Sequence, residues 1–440
     1  MEELHRVCKN FTRHDKKTRT ILLCEMLEYT NVFLEAAFRA EGYSFETLKN
    51  PVKDRTLALR YISNDYCYPT VLILAQFLEY LESGERDPEE ITFMEPQAGG
   101  ACRAGNIYNL LQRVLYRMAE QGQQEYAQIP VISLNLMGEE KHTGFRITPS
   151  LLSGGIAAGC YGDLIMCLYQ QVKPYEQNPG ETDRIRSQVE KKLCESIRRH
   201  RNGRHTREKN YRYACEVFSK VPVKPGKKKR VGITGEIYMK YSKLGNDDIE
   251  SFLLRQGMEP YSGGFINYCL YLVDTERYKA EKYQRNPIMA KACAFVLHRL
   301  CEAQKHLLTV IGETDRFQTD LPFPELKEKV QGILAEGCNT GDGWLIAAEV
   351  IQYVEKGCGS VLILHPFGCL VSHVCERGIL QRLHARFPDV SIQTIEYDYD
   401  QSKTLRESRI LLAISSVGSR CRTWYNKTET IATCIFRRGT

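Results

Sequence analysis

Of seventeen cysteines in 440 residues, three stand apart by their surroundings. Cys67 lies in SNDYCYPT, immediately ahead of an apolar helical pattern, with Pro69 suited to that helix's first turn. Cys102 lies in PQAGGACRAGN, with Gly99 and Gly100 shortly before it and Arg103 after it. Cys369 lies in LILHPFGCLVSH, after a β-rich run and ahead of another helix pattern. Each is expected at a turn leading into a helix. Helix N-termini present unpaired N–H groups and partial positive charge, which lower a thiol's pKa and favour the thiolate. Three thiolates meeting at the carboxyl ends of parallel strands suit an iron–sulfur cluster with one iron left without a cysteine. Gly99 and Gly100 would let backbone come close to it. Two other readings stay open from the residues alone. The three are ordinary loop cysteines, or Cys369 is a nucleophile served by the flanking His365 and His373, although neighbours in sequence need not meet in space.

The remaining thiols read differently. The count is odd, no CxxC is present, and most sit inside amphipathic stretches, which argues against a disulfide framework, a zinc ribbon or a thioredoxin-type site. Cys24, Cys160, Cys167, Cys215, Cys293 and Cys301 are expected to be mostly buried, unpaired and to behave as small hydrophobes. The opening stretch MEELHRVCKNFTRHDKKTRT is polar, and no apolar run reaches the about 18 residues of a membrane helix. The expectation is a cytoplasmic protein without a signal peptide. NKT at 426–428 is a chance glycosylation match in that setting.

Stepping along the chain, short β-rich runs alternate with helical patterns, the signature of parallel α/β units. TILLCEM (20–26), ITFME (91–95) and PVISLNL (130–136) read as strands. NVFLEAAFRAEG, VLILAQFLEYLESG and NIYNLLQRVLYRMAEQG read as helices, the last with Leu110, Leu111, Val114, Leu115 and Met118 on one side. Residues 150 to about 220 are mainly helical, and VPVKPGKKKR is a linker by composition. VGITGEI (231–237), SVLILHP (360–366), SIQTIEYD (391–398) and ILLAISS (410–416) are read as strands of a second α/β region. The predicted fold is α/β: two Rossmann- or flavodoxin-like parallel-sheet domains, 15–145 and 228–418, joined by a helical segment and basic linker, 146–227, with a tail at 419–440. A net charge of +6 is modest for this length. The basic runs RRHRNGRH (198–205) and KPGKKKR (224–230) read as a solvated face and linker, with a phosphate site as the alternative. No aromatic or glycine pattern accompanies them, so nucleic acid is not expected.

Three motifs, NDYCYP, GGACRAGN and HPFGCLVSH, resemble those of the 2-hydroxyacyl-CoA dehydratase superfamily, above all the C-terminal part of its activase-fused, double-cubane-cluster relatives. PVISLNLMGEEKHTGFRIT, YGDLIMCLYQQVKPYE, RVGITGEIYMKYSKLGN, NTGDGWLIAAEV and RFPDVSIQTIEYDYDQS follow the same pattern in the same order, from about residue 15 to about 416. The chain departs from the usual motifs at Ala98, Ala101 and Gly105, and Asp342 stands where a glutamate is usual.

The resemblance implies an iron–sulfur protein of anaerobic metabolism, with Cys67, Cys102 and Cys369 as the cluster ligands. It implies low-potential electron transfer serving radical dehydration of a 2-hydroxyacyl-CoA or reduction of another small molecule, so a lyase or a reductase component. No phosphate-cradling glycine loop is present, so the ATP-dependent activase would be a separate protein. Three thiolates suit a single [4Fe–4S] cluster, and a double cubane would draw ligands from a partner chain, in a homodimer or with a homologous subunit. The alternatives are a non-catalytic electron-transfer or scaffold subunit, and a CoA-binding homologue without a cluster. No membrane and no nucleic-acid partner is expected.

Overall fold

The computed structural model describes residues 9–96, 102–134, 142–283 and 286–415. It contains two four-stranded sheets, each entirely parallel. The first is built from β1 (Thr20–Leu23), β2 (Ser44–Thr47), β3 (Ile91–Pro96) and β4 (Val131–Leu134), in the order β2-β1-β3-β4. The second has β5 (Arg230–Gly235), β6 (Glu259–Tyr261), β7 (Ser360–Pro366) and β8 (Ser391–Tyr397), in the order β6-β5-β7-β8. The two windings are the same: second strand, first, third, fourth. In both, the chain reverses direction across the sheet between the first and third strands, where an open α/β sheet leaves a crevice at its carboxyl edge.

In the first half, α1 (Asn31–Ala40), α2 (Tyr68–Ser83) and α3 (Ile107–Glu120) flank the strands. Leu110, Leu111, Val114, Leu115 and Met118 are all buried, as their spacing requires. Between the sheets stand α4 (Pro149–Val172), α5 (Glu181–Arg198) and α6 (Arg204–Ser219). The second half adds α7 (Ile249–Arg255), α8 (Phe265–Lys282), α9 (Pro287–Gly312), α10 (Phe323–Lys329), α11 (Gly343–Glu355), α12 (Leu370–Cys375), α13 (Leu380–Arg386) and α14 (Lys403–Ser415), besides shorter turns. Thr148 caps α4 by accepting a hydrogen bond from the Leu151 N–H. By length and composition α4 could cross a membrane, but most of its apolar window is buried inside the protein, against α1, α5, α6 and α8. No 18-residue span of that kind was expected from the sequence.

α2 and α11 each lead into the third strand of their own sheet, and each is followed by a glycine in left-handed backbone, Gly84 at φ +64° and Gly357 at φ +87°. The halves are tied together by side chains. Glu25, just after β1, accepts from the Ser242 hydroxyl at 2.6 Å and the Leu244 N–H at 3.2 Å. Tyr29 donates to Glu250 at 2.5 Å, and Arg55 and Arg406 both pair with Asp247.

One strand assignment is wrong. ILLAIS (410–415) is the end of α14, not a strand, and Ser416 lies outside the described residues. Ile410, Ala413 and Ile414 are buried while Leu411 and Leu412 face out, which is helical spacing inside a run too uniformly apolar to betray its period. β2 and β6, four and three residues long, were not seen in the sequence. The tail 419–440, residues 135–136 of the fourth strand pattern, and Gly99 and Gly100 lie outside the described residues.

Candidate functional site

Cys67 is the N-cap of α2, with Pro69 in the first turn, and its sulfur lies 3.2 Å from the Thr70 hydroxyl. Cys369 is the N-cap of α12, and its sulfur accepts from the Ser372 N–H at 3.4 Å. The structure brings these two loops, from opposite halves of the chain, into direct contact. The Tyr68 N–H donates to the Phe367 carbonyl at 3.0 Å. Gly368 sits in left-handed backbone at φ +74°, and a Cβ there would come within 3.2 Å of the Cys67 Cα. A side chain at this position would therefore press on the Cys67 backbone in a conformation that favours glycine.

Cys102 is half-buried and opens a single 3-10 turn, Arg103–Asn106, that runs into α3. Its carbonyl accepts from the Gly105 N–H at 3.2 Å. Cys102 is near enough to act electrostatically on Tyr268 of α8: burial, then Asp342, Cys102 and Glu236, hold that phenol well above its ordinary pKa. Among the described residues no three His, Cys, Asp or Glu side chains are close enough, as they stand, to hold a metal ion.

The sequence reading missed the carboxyl groups of this crevice. Glu236 follows β5 and caps the next turn by accepting from the Met239 N–H at 3.0 Å. Asp342 is the N-cap residue of α11, and Glu376 follows α12. All three are buried. Burial pushes Glu236 up to about 7 and Glu376 up to about 8. Burial, then Glu236 and Glu376, raise Asp342 well above the carboxylate range. His365 is fully enclosed, with Nδ1 3.2 Å from Glu376 Oε2, and burial lowers it to about 4. Glu376 Oε1 and His365 Nε2 have no hydrogen-bond partner among the described residues. The available signal was positional: a carboxylate directly after β5, at the switch between β5 and β7. Cys375 also borders the site, its thiol pushed up to about 12 by burial and by Cys338.

Two expectations are corrected. The Cys369 thiol is raised, not lowered: burial and the Glu236 carboxyl outweigh the positive end of a six-residue helix. Of the expected core thiols, Cys24, Cys160 and Cys215 are buried, whereas Cys167, Cys293 and Cys301 are only half-buried, and all six are unpaired. The nucleophile alternative gains nothing, since His373 Nδ1 contacts the Cys369 backbone carbonyl at 2.7 Å rather than the sulfur.

The residues present fit a metal–sulfur group in their chemistry. Cys369 holds a neutral thiol among carboxyl groups, and a metal ion deprotonates a coordinating thiol outright. Backbone and hydroxyl groups next to Cys67 and Cys369 supply hydrogen bonds of the kind that tune cluster sulfurs. No protein-family model matches the chain, and no curated protein matches it.

Proposed function

We propose that this chain is an iron–sulfur redox protein in which Cys67, Cys102 and Cys369 hold one four-iron cluster with one iron open. The observation that carries the reading is the locked contact of the Cys67 and Cys369 loops, Tyr68 N–H to Phe367 C=O, with Gly368 between them. Residues so far apart in sequence are held together at the carboxyl ends of two sheets, where α/β proteins bind their ligands. When bound, such a cluster supplies one-electron chemistry at low potential. The chain's own part is to supply thiolates, to donate hydrogen bonds to sulfur from Ser372 N–H, and to hold protons on the buried Glu236, Asp342 and Glu376 carboxyls. In this reading electrons arrive from a separate ATP-hydrolysing activator, in the cytoplasm, and serve radical dehydration of a 2-hydroxyacyl-CoA or reduction of a small molecule.

A second reading is electron transfer without a substrate. The test is iron and sulfide per chain after anaerobic purification or reconstitution, with the ultraviolet–visible spectrum. About four irons per chain, lost in Cys102→Ala and in Cys369→Ala, is expected for three-cysteine ligation. A wild-type chain that takes up no iron sinks the proposal. Spectral change on adding an acyl-CoA to the loaded protein separates the two readings.

A further inference from the structure

The segment PIMAKACAFVLHRLCE (287–302) is apolar except for Lys291, His298, Arg299 and Glu302. A helix apolar on nearly all sides belongs in an interior. Yet the buried residues of α9, Ala303, Gln304, Leu307, Val310 and Ile311, all lie in its second half. In the first half Ile288 is 80% exposed, Phe295 67% and Val296 42%. With Ala292 and Arg299 they recur at i, i+4, i+7, i+8 and i+11, one continuous stripe. Further along α9 the same stripe runs through Ala303, His306 and Val310, and there α6 covers it: His306 meets Glu208 at 3.3 Å and packs on the Tyr211 ring. α6 begins at Arg204, and beyond its start nothing among the described residues takes its place. α8 packs along the other side of α9 and leaves the stripe open.

We propose that a second copy of this chain covers the stripe, the first half of α9 packing against its two-fold mate so that the two α8–α9 hairpins form a four-helix contact. A two-fold contact must be self-complementary. This stripe is: its centre is uncharged, the small Ala292 lets two helices cross closely, and Ile288 on one side of the crossing meets Phe295 and Val296 on the other. The area fits as well. Together with Tyr283, 62% exposed at the end of the hairpin, the exposed side chains present on the order of 500 Å² of apolar surface, about the largest patch a monomer keeps. Doubled by symmetry, this reaches the about 1,000 Å² that a specific interface needs. The contact is independent of the cluster and is tested apart from it.

The test is the native mass of the full chain by light scattering, iron-free and iron-loaded. Wild type is expected at twice 50.6 kDa. The double variant Ile288→Lys with Phe295→Glu is expected at half that mass, with its circular dichroism, melting temperature and iron uptake unchanged. Both side chains are exposed in the single chain, so the substitutions remove no core contact. A wild-type monomer overturns the proposal, and so does a dimer that survives the double substitution. Hydrogen exchange on 287–300 supplies the other arm. Protection that rises with protein concentration supports the two-fold contact. Protection in a monomer that vanishes when the chain is cut after Ser415 overturns it in favour of the chain's own tail.

Discussion

Gly368→Ala should damage this protein more than its size implies, by an amount that can be divided into parts. The glycine sits at φ +74°, where an L-residue costs about 1–2 kcal/mol. A methyl group there also meets the Cys67 Cα at 3.2 Å and the Tyr66 carbonyl at 3.4 Å, backbone atoms that can yield only by the two loops moving apart by a few tenths of an ångström. Overpacking of this kind adds about 1–3 kcal/mol. Gly84→Ala is the matched control: φ is +64° at the far end of the same helix that Cys67 caps, and no atom lies within 4 Å of the new Cβ. Only the backbone penalty applies there. In metal-free protein, chemical denaturation should therefore place Gly368→Ala about 1–3 kcal/mol below Gly84→Ala. Iron uptake should fall in the first variant alone, because the separated loops carry two of the three thiols. Equal stability loss in the two variants, with iron uptake intact in both, would refute the argument that the Cys67–Cys369 contact depends on a missing side chain.

Lys240 is buried with Glu349 at 2.7 Å, so Lys240→Met leaves a buried carboxylate unpaired and should cost about 3–5 kcal/mol by urea denaturation, much of it recovered in the double variant with Glu349→Gln. Burial raises Glu95 to about 8, so the folded chain binds a proton that the unfolded chain releases near 4.5. That contribution is complete below about pH 4.5 and is lost as pH rises to about 8, above which it no longer changes, so the denaturation midpoint should drop between about pH 5 and 8, and Glu95→Gln should flatten the drop. The raised Cys369 thiol should alkylate at pH 8 at least about tenfold more slowly than a free cysteine peptide, read by mass spectrometry on metal-free protein, since the thiolate is the nucleophile.

Much of the fold was legible because strands such as SVLILHP are long, apolar and bounded, and because Leu110 to Met118 repeat at helical spacing. β2 (SFET) and β6 (EPY) carry no apolar run, unlike the equally short β1 and β4, so they were silent, and the ILLAIS run hid a helix. At the site, the capping positions of Cys67 and Cys369 could be read from their neighbours. What could not be read was the medium around them. A pKa depends on enclosure by residues distant in sequence, and Glu236, Asp342 and Glu376 meet only once the second sheet and its helices are wound.

The repeated winding has a consequence for protein engineering. In each half, one helix leads into the third strand and one loop leaves it, giving two corresponding positions per half. The first half fills its pair with Cys67 and Cys102. The second half fills its pair with Asp342, at the start of α11, and Cys369. Of these four corresponding positions three carry sulfur and one oxygen, and the odd one gives a nearly repeated frame a front and a back. Two single exchanges would make the halves chemically alike: Asp342→Cys, with cysteine at all four positions, and Cys67→Asp, with one aspartate and one cysteine in each half.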